Sequence, residues 1–466
     1  MPEKYLFYPE FTPNHPKTPS NCTQKSTKVA FIYTYLTKIL HISTFFEHLL
    51  HFFDLFCRIF PFFPFQQFSN LAHLNKRLVV ITFLIDAFWF FFAFFVISLI
   101  ILFHFLTFLE AFPLNQTNFR NLISGQTNSL TGKALRPFLS LASAGYSAAI
   151  NARNLLYDKE LLKTHHVNAA VISIGNITTG GTGKTPLVIR LCKKIPQHYI
   201  CAILTRGYKA HHSDEIAVLA QSCPNAKIII NPNRYKGSIE AINKFGANVL
   251  IMDDGFQHRR LHRDLDIVTI DATNPYGFGR LLPAGLLREP LTCLDRADVV
   301  VLTRCNQVTD NDLEKIEVKL KSLNSNLIIA RSIHKPTYVI LSDNKTPGIE
   351  ELKNKKVFAF CGIGNPDSFF NTIRQLAATL VGSKSYNDHH RYTLSDINEI
   401  YEQAKRLKAD FILTTQKDWT KITSLTAVKK DISFAYLAIE LKFLTAEDKI
   451  TQLIETILAG KIHKSK

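Results

Sequence analysis

From residue 167 onward, short apolar runs rich in β-branched residues recur along the chain, separated mostly by polar stretches of helical period. They are Ala169–Ile174, Ile200–Leu204, Lys227–Ile230, Val249–Met252, Leu265–Ile270 and Val299–Leu302. Runs of this length without alternation suit strands buried on both faces. Strand–helix alternation predicts an α/β fold with a doubly wound, mostly parallel sheet over residues 166–335. Ser332–Ser342 passes from polar to apolar, which predicts a linker with a strand, placed over residues 336–350. Further runs at Lys356–Cys361, Asp410–Thr415 and Ser433–Ile439 predict a second, smaller α/β domain over residues 351–466, with the active cleft between the two.

The first third has a different texture. Residues 1–130 hold 25 of the 36 Phe. Between Ala87 and Leu109 the chain carries no Asp, Glu, Lys or Arg for 23 residues. About 20 apolar residues cross a bilayer as helix, so residues 87–109 are expected to span a membrane. Leu135–Leu161 mixes Leu, Ala, Ser and Tyr, with Pro137 near its start, where Pro suits a helix N-terminus. It predicts a membrane-associated helix within residues 132–165, lying on or dipping into the interface; a helix packed on the soluble core is the competing reading.

Composition narrows the partners. Lys and Arg number 55 against 38 Asp and Glu, a net charge of +17, which favours an anionic partner. The eight cysteines form no CxxC pair, which argues against a zinc ribbon or a dense disulfide framework. The charge is dispersed and no nucleic-acid recognition motif is present, so nucleic acid is not expected as a partner.

Chemistry concentrates after the first apolar run. Gly175-Asn176-Ile177-Thr178-Thr179-Gly180-Gly181-Thr182-Gly183-Lys184-Thr185 reads as a strand, a glycine-rich turn and a helix start. Such a P-loop turns successive N–H groups toward an anion, with a Lys for the outer phosphates and a Thr hydroxyl for Mg²⁺. Thr178 through Thr185 are therefore the expected nucleotide cradle, although Thr178 stands where the motif usually begins with Gly. Asp253 and Asp254 close the run Val249–Met252; acids at the carboxyl end of a parallel strand suit a Mg²⁺ site, as does Thr185.

With these pieces in place, Val171–Arg304 strongly resembles the tetraacyldisaccharide 4′-kinase (lipid A 4′-kinase) family. The matching pieces are SIGNITTGGTGKTP, LTRGY at Leu204–Tyr208, Asp214–Glu215, MDDGFQHRRLHRDLDIVTID from Met252 and NPYGFGRLLPAGLLREP from Asn274. FCGIGNPDSFF from Phe360, DHHRYT from Asp388 and TTQKDWTK from Thr414 follow in the family's order. The resemblance runs from about Gly132 to the C-terminus and does not reach residues 1–130. It implies transfer of the ATP γ-phosphoryl group to the 4′-hydroxyl of a tetraacyldisaccharide 1-phosphate, with ATP and Mg²⁺ as cofactors. It also implies a place at the cytoplasmic face of the bacterial inner membrane, a glycolipid partner and no obligate protein partner.

The resemblance assigns roles as well. Lys184 holds phosphates, and Asp214 is the candidate base acting with His389, with His390 as the adjacent alternative in register. Arg288 is a candidate for stabilising phosphoryl charge, and Glu289 joins Thr185, Asp253 and Asp254 as a candidate for Mg²⁺. Arg206 and His258 are weaker candidates for the same cleft. Gln416 stands where the family more often has Glu, while Lys417 and Asp418 keep its pattern and suggest nucleotide contacts. Two rival functions differ in class. A P-loop GTPase or metal-insertion NTPase usually carries NKxD, which is missing here. A non-enzymatic, ATP-gated membrane scaffold would transfer no phosphoryl group to any glycolipid.

Overall fold

The computed structural model describes residues 116–127, 129–207, 214–341, 345–376, 378–425 and 431–464. The expected membrane span at 87–109 and nearly all of the Phe-rich extension lie outside these residues. α1 (Gln116–Ser124) and α2 (Leu130–Asp158) come first. Ser129 caps α2 by accepting a hydrogen bond from Gly132 N, so the helix starts a turn and more before the Leu135 predicted from sequence. Pro137 therefore sits inside the helix rather than at its N-terminus. Among the described residues, no helix is long and apolar enough to cross a membrane.

β1 (Ala170–Asn176), β4 (Val249–Asp253), β5 (Leu265–Asp271) and β6 (Val299–Thr303) are buried along their whole length. That is why their sequences are unbroken apolar runs. They join β2 (Cys201–Thr205), β3 (Lys227–Ile230) and β7 (Ile328–Leu341) in one half of a sheet. The other half holds β8 (Lys356–Cys361), β9 (Thr379–Ser385), β10 (Phe411–Thr415) and β11 (Ser433–Phe443). The full order is β3-β2-β4-β1-β5-β6-β7-β11-β10-β8-β9. Every pairing is parallel except β7 with β11.

β7 joins the halves. Its residues Ile328–Arg331 pair parallel with Val299–Leu302 of β6, and Ser332–Leu341 run antiparallel to β11. The register slips between Ala438 and Ile439, beside Pro336, which has no N–H to give the ladder. The linker expected over 336–350 thus begins as strand as far as Leu341. The C-terminus also departs from the expected 351–466 unit. α10 (Glu447–Lys464) returns to the first half, where Ile450, Ile454 and Leu458 bury against Ala170, Leu187 and Leu191. Arg190 to Glu447 at 2.6 Å and Lys461 to Asp264 at 3.0 Å tie the same surfaces.

The remaining helices are α3 (Lys184–Lys194), α4 (Asp214–Ser222), α5 (Arg234–Phe245) and α6 (Asp310–Leu323) in the first half. α7 (Pro366–Gln375), α8 (Leu394–Arg406) and α9 (Gln416–Ile422) cover the second. Phe369, Phe370 and Ile373 pack on Val357 and Leu413 on one face, and Ile397 and Ile400 pack on Phe358 and Phe360 on the other.

Candidate active site

The glycine-rich turn follows β1 and leads into α3. Gly183 sits at φ 90°, a left-handed conformation, and a Cβ there would lie 2.7 Å from His334 Nε2. The turn is held from beneath by a hydroxyl ladder. Asn176 donates to Thr182 Oγ1 at 3.1 Å, Thr182 and Thr269 hydroxyls meet at 2.8 Å, and Thr303 donates to Thr182 O at 2.9 Å. Arg304 donates to Gly181 O at 2.7 Å and pairs with Asp271. Pinned this way, Gly180 to Pro186 line a cleft of about 1360 Å³ between the two halves of the sheet.

Lys184 and Thr185 open α3 at the cleft wall. Lys184 Nζ lies 3.3 Å from Asp254 Oδ1, and Arg288 grips both Asp254 oxygens at 2.8 and 2.9 Å. Burial works to raise the Asp254 pKa, but Lys184 and Arg288 outweigh it and hold the group ionised. Asp253 differs. It is buried, its Oδ1 has no hydrogen-bond partner among the described residues, and burial with Glu215 nearby pushes its pKa up to about 7. A buried carboxylate with an unpartnered oxygen beside a phosphate loop fits a cation. No group of three His, Cys, Asp or Glu among the described residues is arranged as a metal cage. A magnesium held by one or two carboxylates, water and phosphate oxygens needs none.

Six residues named from the sequence lie outside the cleft lining. Glu289 is fully buried and accepts from Arg153 at 2.6 Å and from Arg296, with Asn154 and Gln257 each 3.4 Å away. Two guanidiniums offset its charge, and through Arg153 it anchors α2. Thr178 and Thr179 do not line the cleft either. Thr178 bridges to Leu287, and Thr179 N donates to Leu286 O at 2.8 Å, pinning the loop that carries Arg288. Asp418, expected at the nucleotide, is buried and accepts from Gly362 N at 2.9 Å, fixing the turn after β8. Arg206 and His258 lie outside the cleft lining; burial and Arg234 push the His258 pKa down to about 4.

Across the cleft from the phosphate loop a charge cluster joins the two halves, Asp214 and Glu215 of α4 meeting Asp388, His389, Lys417 and Lys421 of the second half. His389 Nδ1 is 3.1 Å from Asp214 Oδ1. His390 instead faces Asp396 at 3.3 Å and stacks on Tyr386. His389 holds φ 62°, a left-handed conformation uncommon for a non-glycine residue. Lys417 Nζ reaches Asp388 at 3.1 Å, His389 Nε2 at 3.2 Å and Glu215 at 3.4 Å. Lys421 Nζ lies 3.1 Å from Asp214 Oδ2. Burial works to raise the Asp214 pKa, but the His389 hydrogen bond, then Lys417 and Lys421, hold it far below the carboxylate range. The same hydrogen bond raises the His389 pKa against its partial burial.

Lys421, Arg304 and His334 escaped the sequence reading. His334 stands in the stretch read as linker, and Arg304 had only its place at a strand's carboxyl end to mark it. Burial, then Arg304, pushes the His334 pKa down to about 3, so a neutral imidazole lines the nucleotide side.

A phosphate loop facing an acid–histidine pair across one cleft defines a P-loop phosphotransferase. A family model described as tetraacyldisaccharide-1-P 4′-kinase matches residues 135–459, and the chain belongs to that family of kinases. A tetraacyldisaccharide 4′-kinase of Syntrophus aciditrophicus is 37% identical over 65% of this chain and 88% of its own length. One from Anaeromyxobacter sp. (strain Fw109-5) is 34% identical over 70% of this chain and 92% of its own. The crystal structure of an "apo" form LpxK from Aquifex aeolicus in complex with ATP is 30% identical, covers 70% of this chain and 99% of that one, and superposes with a TM-score of 0.54.

Proposed function

We propose that this chain transfers the γ-phosphoryl group of ATP to the 4′-hydroxyl of a tetraacyldisaccharide 1-phosphate. The observation that carries the reading is Lys184 lining one cleft with the Asp214–His389 pair, which joins the two halves across it. Lys184 and the Gly180–Gly183 amides hold and neutralise the triphosphate. Arg288, next to Asp254, can follow charge onto the transferred group. Asp214 accepts the hydroxyl proton as attack proceeds, with His389 orienting its carboxylate and Lys417 holding the histidine in place. Asp253, Asp254 and Thr185 are the groups that would hold magnesium, which would supply neutralisation of phosphate charge.

The acceptor is lipid, and α2 supports a membrane-facing role. Phe138, Leu141 and Leu155 are 68%, 61% and 56% exposed. We place this helix on the membrane surface, with the cleft on the cytoplasmic side, where ATP is available. Purified chain incubated with labelled ATP and a detergent-dispersed tetraacyldisaccharide 1-phosphate should move label to the lipid. Label transfer from GTP in preference to ATP, or hydrolysis with no labelled lipid, would remove the reading.

A further inference from the structure

We propose that Tyr146 of α2 is a positioning residue for phosphoryl transfer: its hydroxyl fixes the Arg288 backbone and thereby sets the guanidinium on Asp254; this rests on the kinase reading above. Arg288 lines the cleft and holds both Asp254 oxygens at 2.8 and 2.9 Å. A side chain that long turns about many bonds, so its tip is only as fixed as its backbone. The Arg288 N–H donates to Ile177 O at 2.7 Å, which ties it to the chain leaving β1. Its carbonyl accepts from Tyr146 Oη at 2.8 Å, which ties it to α2. Tyr146 is half-buried, and burial, then Glu289, raises its pKa, so the hydroxyl keeps the proton it donates.

α2 presents Tyr146 on the face that meets this loop. Ser143, Tyr146 and Arg153 follow one another at helical spacing. Ser143 donates to Leu281 O at 2.9 Å, and Arg153 pairs with Glu289 at 2.6 Å. These two contacts hold the helix on the loop from either side of Tyr146, so loss of the Tyr146 hydroxyl leaves α2 docked and frees one side of the Arg288 peptide. A small backbone shift grows along the side chain to its tip. Lys184 lies 3.3 Å from the same Asp254, so the shift reaches the phosphate side of the cleft. Misplaced charge of this kind lowers rate more than binding, because the charge on the transferred group develops in the transition state. The helix set on the lipid surface by the reading above is thus also the one that aims Arg288.

The test uses the full chain, its Tyr146→Phe and Arg288→Ala variants and the double variant, assayed by label transfer to a detergent-dispersed tetraacyldisaccharide 1-phosphate. Tyr146→Phe should lower kcat about tenfold, with KM for ATP within about twofold and the melting temperature nearly unchanged. In the Arg288→Ala background the same substitution should cost less than about twofold, since the group it positions is gone. Wild-type kcat in Tyr146→Phe would overturn the proposal. So would an equal loss in both backgrounds, which marks a packing role that does not pass through Arg288. A wild-type chain that labels no lipid sinks the kinase reading and this role with it, whereas transfer by the wild type and by Tyr146→Phe alike sinks this role alone.

Discussion

Asp214 is an unusual base, because a histidine hydrogen bond and two lysines hold its proton affinity down. His389, Lys417 and Lys421 all face it, and the net effect keeps it ionised well below neutrality. It therefore serves best by orientation and by accepting charge within a low-dielectric cleft, passing the proton on through the pair. Asp214→Asn keeps the shape and removes the charge. We expect kcat to fall about 10²–10⁴-fold with ATP affinity nearly intact. The same variant carries a stability signature. A carboxylate with a depressed folded-state pKa contributes stability above its unfolded value near 3.8, lost as pH falls through the folded value. Its melting temperature should lie below wild type at pH 7, and the gap should narrow below about pH 4. Near-wild-type turnover would take Asp214 out of the base role. At this scale residue type and motif register named Lys184, Asp254 and His389, all of which line the cleft. The surroundings of Glu289 were not readable, because nothing local announces that Arg153, more than a hundred residues earlier, and Arg296 pair with that carboxylate.

Elements carry the next level of control. Two glycine turns from different halves of the sheet touch: a Cβ on Gly364 would lie 2.5 Å from Gly181 N. Asn365 adds a hydrogen bond to Asp271 Oδ2 at 2.8 Å, the carboxylate that also holds Arg304 under the loop. The GIGN turn read from sequence as a helix cap does cap α7, since Asn365 accepts from Ser368 N. It is also the surface on which the phosphate loop rests. Gly364→Ala must separate the two turns by roughly an ångström. Displacements of that size cost about 10²-fold in rate, so kcat/KM for ATP should drop by that order while the far-ultraviolet spectrum is unchanged. Wild-type kcat/KM would show the contact to be dispensable. Sequence showed these turns singly; their meeting follows from β8 lying across the β7–β11 seam, which no periodicity encodes. β7 was obscured for a related reason. Its partly exposed residues include His334, Lys335 and Thr337, placed there by the cleft they line or border.

At the scale of the molecule, the parallel sheet and the cleft were legible because β1, β4, β5 and β6 are buried on both faces and read as unbroken apolar runs. The return of α10 to the first half was not, since its pattern names an apolar face but not the surface that covers it. α2 poses the same question from outside. Arg153 and Asn154 bind it to Glu289, Tyr146 donates to Arg288 O at 2.8 Å, and Ser143 donates to Leu281 O at 2.9 Å. One face is thus fastened to the loop carrying Arg288, while Phe138, Leu141 and Leu155 point to solvent. A lipid surface covering those side chains would hold the acceptor-bearing leaflet in fixed relation to the cleft. Each such side chain contributes about 1.5–3 kcal/mol when fully withdrawn from water, so half-burial of three amounts to about 10²-fold in partition. In a chain beginning at residue 116, replacing all three by Ser should therefore lower binding to anionic vesicles by that order. Turnover on detergent-dispersed acceptor should persist, because the Glu289, Arg288 and Leu281 contacts lie on the opposite face. Vesicle binding unchanged by the triple substitution would mean that another surface meets the membrane, and that the exposed stripe of α2 does not set how the cleft faces the bilayer.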